Sequence, residues 1–145
     1  MADILHDFPI AADSRRVFDA VSASGGGGLD GWWTIRSVGT PEVGSEYQLW
    51  FGPEYDWRAQ VSRCEPLKHF ELQLSKADDD WKGTRVGFEL VEDGPRTHLR
   101  FRHVGWPTVN DHFRTSSYCW AMYLRVLRRW LEYGEEVPYE RRLEV

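Results

Sequence analysis

The chain is poor in cysteine, has no excess of positive charge and contains no long apolar run, and each shortage removes a class of protein. Two cysteines in 145 residues, Cys64 and Cys119, cannot build the disulfide framework of a small secreted domain. Lys and Arg number 18 against 23 Asp and Glu, a formal net charge of −5. Nucleic-acid binding rests on a basic face that neutralises phosphates, and this balance does not supply one. No apolar stretch approaches the roughly 18 residues of a membrane span, and Met1-Ala2-Asp3-Ile4 lacks the basic and apolar regions of a signal peptide. Together these features predict a cytoplasmic protein with reduced thiols, no membrane span and no nucleic-acid partner.

Metal and cofactor motifs are equally scarce. There is no His-Glu-x-x-His, and neither cysteine has a companion at ligand spacing. Gly25-Gly26-Gly27-Gly28 lacks the Lys-Ser/Thr that follows in a phosphate-binding loop; it reads as a mobile hinge or a plain loop. Ser116 and Ser117 have no nucleophile-elbow context. No metal and no cofactor are expected.

Aromatic side chains are abundant: 8 Trp, 6 Tyr and 7 Phe. A chain of this size buries roughly 68–70% of its unfolded surface, so it folds without a metal or disulfide, and a plain core does not require eight indoles. Trp is bulky and carries an N–H that wants a partner when buried. Such a set suits either the wall of a partly polar cavity or an aromatic-rich core.

The hydropathy pattern predicts a single α+β domain over residues 1–145. Ile4–Ile10 reads as a strand with Ile4, His6, Phe8 and Ile10 on one face. Asp13 or Ser14 caps a short helix to about Ser22, striped by Val17, Phe18 and Val21. Leu29–Trp33 is a second short helix or turn. From Gly44 to His103 the period is two, giving five strands with one apolar and one charged face, the pattern of an antiparallel meander covered on one side. From about Thr108 to Tyr133 there is no proline or glycine; Phe113, Ser117, Trp120, Leu124, Leu127 and Leu131 recur at helical spacing, and Gly134 ends the helix. A helix of about 26 residues spans roughly 39 Å, enough to cross the sheet.

Ile10-Ala11-Ala12, Val17-Phe18-Asp19-Ala20, Trp32-Trp33 and Ser117-Tyr118-Cys119-Trp120-Ala121-Met122-Tyr123-Leu124, with Leu127, Leu131, Glu132 and Gly134 beyond, make the chain resemble the helix-grip superfamily. That superfamily includes the START lipid-transfer domains, the Bet v allergens and the polyketide cyclases (SRPBCC). Within it, the chain is similar to homologues of the activator of the heat-shock chaperone ATPase. The resemblance covers nearly the whole chain. It implies a helix-grip fold: a curved antiparallel sheet of about six strands around a long C-terminal helix, with two short helices after the first strand. It implies a wedge between sheet and helix where a ligand sits, and a possible homodimer. The name-giving eukaryotic members carry an additional N-terminal chaperone-binding domain for which 145 residues leave no room, so the resemblance speaks for fold rather than for chaperone activation.

Strand parity and the helix stripe nominate a ligand-binding set: Phe8, Trp33, Tyr47, Leu49, Trp57, Leu72, Phe88, Phe101, His103, Phe113, Ser117 and Trp120. Rings with a few polar tips (His103, Tyr47, Ser117) suit a flat, mostly apolar small molecule. Of five histidines, His6 and His103 point inward, with His112 near the mouth; an inward imidazole is either a proton-transfer group or a structural hydrogen-bonding one. Glu71 and Glu89 face outward, so no carboxylate pair converges. Trp50, Trp106 and Trp130 read as exposed indoles of a contact surface. Three functions fit: a binding protein for a small hydrophobic or aromatic ligand, a cyclase- or aromatase-like enzyme in which His103 or His6 moves the proton, and an interaction module whose wedge is filled.

Overall fold

A computed structural model describes residues Met1–Val145. Strand β1 (Ala2–Ile10) leads to helix α1 (Ser14–Ser22) and a 3₁₀ turn at Leu29–Gly31. Six strands follow, namely β2 (Arg36–Val38), β3 (Glu46–Trp50), β4 (Asp56–Glu65), β5 (His69–Lys76), β6 (Arg85–Asp93) and β7 (Arg96–Trp106). Helix α2 (Asp111–Tyr133) and a 3₁₀ segment at Tyr139–Glu144 complete the chain. The strands form one antiparallel sheet in the order β1-β7-β6-β5-β4-β3-β2. This is the α+β helix-grip architecture that the pattern implied. The seventh strand, β2, has three residues and is too short to show a period.

Local chemistry sets the boundaries. The Asp13 carboxylate accepts the Arg16 N–H at 2.9 Å and starts α1. Asn110 does the same for α2 through the Phe113 N–H at 2.9 Å, so the helix begins later than Thr108 and is about 34 Å long. Gly134 ends it in the left-handed region, φ 67°, a conformation that glycine adopts without steric penalty. The inner face of α2 carries Ser116, Trp120, Leu124, Leu127 and Leu131, at steps of four and three that keep one side against the sheet.

Parity holds along most of the sheet. Ile4, Ile10, Tyr47, Leu49, Ala59, Leu72, Phe88, Phe101 and His103 are buried on the inner face. A register shift between Val61 and Arg63 breaks the alternation of β4, and Cys64 pairs with the inward Phe70. On the outer face, Arg102 lies flat over Gly87 and grips the Glu71 carboxylate through Nε at 3.3 Å and Nη2 at 2.9 Å. The Ser62 hydroxyl donates to the other Glu71 oxygen at 2.8 Å. Glu71 is therefore buried on the outside of the sheet, under a guanidinium, and not at a site. No helix is long and apolar enough to cross a membrane, and both cysteines are free thiols.

The Gly25–Gly28 run is a tied turn. Gly25 N–H donates to the Ser37 hydroxyl at 3.0 Å, and the Gly25 carbonyl accepts from Gly28 and Asp30. A Cβ on Gly28 would lie 1.9 Å from the Ala23 carbonyl oxygen, so glycine is required there by close packing. None of the four glycines lines the aromatic pocket described below.

Candidate functional site

The deep wedge between sheet and helix is solid. Trp120 of α2 reaches the sheet with its ring centre 4.5 Å from Phe101 and 5.1 Å from Trp33, and it stacks on Trp81 at 5.8 Å. Phe101 meets Phe88 at 5.5 Å, Phe88 meets Trp32 at 5.9 Å, and Tyr47 meets Phe70 at 5.7 Å. Leu49 and Leu72 fill the remaining inner face and are fully buried. The expectation that these inward residues line an open cavity is thus corrected: Tyr47, Leu49, Leu72, Phe88, Phe101, His103 and Trp120 are core. Parity gives direction but not depth, and indoles at facing positions are long enough to meet across the gap.

The polar tips are used up inside that core. Tyr47 donates its hydroxyl to the Ser22 carbonyl at 2.5 Å, and Trp32 donates to the Ala20 carbonyl at 2.8 Å. His103, 0% exposed, is the hub of a chain of bonds. Trp120 Nε1–H donates to its Nδ1 at 3.0 Å. An indole N–H is donor only, so Nδ1 is an acceptor and the proton is on Nε2, which donates to Thr84 Oγ1 at 2.7 Å. The Thr84 hydroxyl then donates to the Trp81 carbonyl at 2.5 Å. Burial, with the nearby His112 adding to it, pushes the His103 pKa down to about 3. His103 is therefore a neutral, fully bonded structural imidazole, and the proton-moving role is withdrawn. His6 is half-buried, lies 6.1 Å from Phe101 ring to ring, and its Nε2 is buried without a partner.

Other expected site residues sit elsewhere. Phe8 borders a second opening, of about 390 Å³, between β1 and α2 with His6 and Met122; charged Asp7, Arg125 and Arg128 share its lining. Phe113 packs edge-on against Trp106 at 5.3 Å. Ser117 is half-buried; the serine that faces inward is Ser116, whose hydroxyl accepts from Trp81 Nε1 at 3.3 Å. The contact-surface reading of three indoles also changes. Trp106 is fully buried, Trp50 lies under the Arg36 guanidinium at 4.5 Å, and Trp130 is wedged against Gly31.

An aromatic-walled opening lies at one end of the wedge. A pocket of about 210 Å³ opens to solvent there, lined by Trp33, Phe51, Tyr55, Trp57, Asp78, Trp81, Tyr123 and Tyr139. That is the volume of about seven waters. Of the expected set it unites Trp33 and Trp57. The other walls come from positions without strand or helix period: Phe51 and Tyr55 flank the β3–β4 turn, Asp78 and Trp81 belong to the β5–β6 connection, and Tyr139 lies in the C-terminal 3₁₀ segment. Tyr123, on α2, lies beside the inner stripe. Successive rings along the wall meet obliquely: Trp33–Phe51 at 59°, Phe51–Trp57 at 64° and Trp57–Trp81 at 49°.

Arg142 fixes the wall that Tyr139 provides. Its guanidinium is buried and donates to three carbonyls, those of Asp30 at 2.8 Å, Val137 at 3.0 Å and Thr34 at 3.2 Å. It also lies 5.6 Å from the Tyr139 ring. Burial lowers the Arg142 pKa from its ordinary value, yet it remains a cation. Burial likewise pushes the Tyr123 hydroxyl above the usual tyrosine range, with Tyr139 adding to the shift. No group of three or more His, Cys, Asp or Glu is close enough to hold a metal ion.

The comparisons agree with this geometry at the level of the fold. A family model described as "Activator of Hsp90 ATPase homolog 1-like protein" matches residues 11–132. The solved Aha1 dimer from Colwellia psychrerythraea is 28% identical, with a TM-score of 0.82, over 93% of this chain and 99% of that one. Protein BH1534 from Bacillus halodurans is 24% identical, TM-score 0.75, over 91% of this chain and 98% of its own. CalU16 from Micromonospora echinospora is 17% identical, TM-score 0.71, over 98% of this chain and 81% of its own. No curated protein matches the chain.

Proposed function

The chain belongs to the Activator of Hsp90 ATPase homolog 1-like family, and we propose that it is a cytoplasmic binding protein for a small hydrophobic or aromatic ligand, seated in the rim pocket. One observation carries this reading: seven aromatic side chains surround open space that the packed core next to them does not fill. Apolar surface left in contact with water is unfavourable, and a pocket of few polar groups is the usual form of a small-molecule site. The volume is below the roughly 300 Å³ of drug-sized sites, which favours a small guest or one end of a larger one. The two free thiols fit the reducing cytosol.

The test is a fluorescence titration with hydrophobic probes. Saturable quenching of the indoles is expected, and Trp57→Ala weakens it by tenfold or more. Probes that bind equally well to Trp57→Ala, or not at all, refute the rim pocket as the site. A homodimer belongs to the same reading, supported by the Colwellia protein, which was solved as a dimer. Light scattering at micromolar concentration is expected to give twice 17.0 kDa; a monomer mass refutes it. The solid wedge favours a second reading, an interaction module with no ligand, and flat titrations with every probe are the result it predicts.

A further inference from the structure

Resting on the rim pocket as a binding site, we infer that its preferred guest is a small quaternary ammonium cation with no anionic group next to the charged nitrogen. Seven of the eight lining residues are aromatic, and the eighth, Asp78, is a carboxylate. Asp78 is exposed, has no ion-pair or side-chain hydrogen-bond partner, and no Lys or Arg lines the pocket. Ring faces carry negative potential and attract a desolvated cation, most strongly for Trp; Trp33, Trp57 and Trp81 are all in the wall. A neutral guest makes no use of Asp78, and an anion is repelled by it.

Shape points the same way. Adjacent rings meet at 49–64°, so a flat guest stacks on one of them and leaves the others. A ball-shaped trimethylammonium group meets several at once. The acidic turn Asp78-Asp79-Asp80 and the adjoining depression, which holds Glu54, Asp56 and Lys76, carry five carboxylates against two cations, Lys76 and the Arg58 that pairs with Asp56. Asp56 is occupied by Arg58 and Gln48, and Asp80 by Asn110 and His112. A phosphate or carboxylate placed next to the guest's nitrogen meets this negative rim, so choline fits where phosphocholine and a phosphatidylcholine head group do not.

The experiment compares four probes by calorimetry and indole fluorescence: choline, its neutral isostere 3,3-dimethyl-1-butanol, phosphocholine and phosphatidylcholine vesicles. Choline is expected to saturate, with the isostere and phosphocholine each at least tenfold weaker and the vesicles unbound. Asp78→Asn should weaken choline about fivefold and leave the isostere unchanged. Tyr55→Leu, at an exposed ring whose loss does not threaten folding, should weaken choline more than the isostere. An isostere that binds as well as choline overturns the cation while leaving the pocket reading intact, as does a Trp57-dependent hydrophobic probe in the absence of choline binding. Phosphocholine or vesicles bound more tightly than choline overturn the choice of guest. Absence of binding by every probe overturns both the cation and the pocket.

Discussion

The buried imidazole of His103 predicts a specific loss of stability in mild acid. In the folded state its pKa is about 3, against an ordinary 6.5. The unfolded chain therefore takes up a proton on this residue below pH 6.5 that the native state does not, and native stability falls as pH falls. The loss begins near 6.5, grows by about 1.4 kcal/mol for each pH unit, and levels off only near the folded pKa. Between pH 7 and pH 5 it amounts to about 2 kcal/mol. That is a large part of the roughly 5–15 kcal/mol by which a domain is stable. Glu65 and Glu89 are held below their ordinary 4.5 by His69. Their contribution is lost below that value, outside the interval from pH 7 to 5, and comparison with a variant at position 103 cancels what every other titrating group contributes.

The assay is urea denaturation at pH 7, 6 and 5 and constant ionic strength, on the wild type and on His103→Asn. The asparagine oxygen can still accept from Trp120 Nε1 but gives up the bond to Thr84 and part of the ring volume. At pH 7 the variant should be less stable by about 2–4 kcal/mol. Because it carries no titrating group there, the gap should shrink by about 2 kcal/mol at pH 5. Parallel curves, with the gap unchanged from pH 7 to 5, refute the reasoning, since they mean that His103 protonates alike in both states. An independent check is the imidazole proton resonance, which should not move between pH 8 and 5.

Two further perturbations test other parts of the molecule. Arg142→Ala removes three hydrogen bonds to carbonyls from a buried cation. It should free the tail from about residue 135, raise its amide exchange well above that of the central strands, and weaken probe binding as Tyr139 leaves the wall; unchanged exchange refutes the clasp. Gly87→Ala places a Cβ 2.7 Å from the Arg102 guanidinium carbon, lifting it from Glu71 at a cost of about 1–3 kcal/mol in urea denaturation. The cost should vanish in an Arg102→Met background, and a cost that persists there locates the clash elsewhere.

How much of this was legible in the sequence depended on whether regular periodicity carried the signal. The strands announced themselves because a half-covered sheet alternates apolar and charged residues, and α2 because Trp120, Leu124, Leu127 and Leu131 recur at helical steps. Gly134 and Asp13 marked helix ends by backbone and side-chain chemistry that is local. Ser116 and Ser117 are adjacent, so one residue of helical rotation decides which of them faces inward, and the bond from Trp81 decides for Ser116. The tail carries no period: Arg142 is buried by three carbonyls, and nothing in Glu140-Arg141-Arg142 singles it out from its exposed neighbour.

The site was the least legible part, for a reason of length rather than of direction. An inward position on a strand tells which side a ring takes; whether a void survives depends on what stands opposite and how far it reaches. At the centre of the wedge, Trp120 faces Phe101 and Trp33 with ring centres about 5 Å apart, and interiors pack too densely to leave space between such rings. At the rim most of the facing groups, among them Trp33, Phe51, Tyr55 and Trp81, sit outside strands and α-helices, where neither the period of two nor that of 3.6 applies. The surplus of indoles therefore fills the core and also walls an opening beside it. Shortening one central ring separates the two roles. In Phe88→Ala, which removes a fully buried ring from the wedge centre, the wedge gains an apolar cavity and loses about 3–5 kcal/mol. None of the seven rim rings is among the ring contacts of Phe88, so choline binding at the rim should survive in the folded fraction, whereas a site in the deep wedge would be remade.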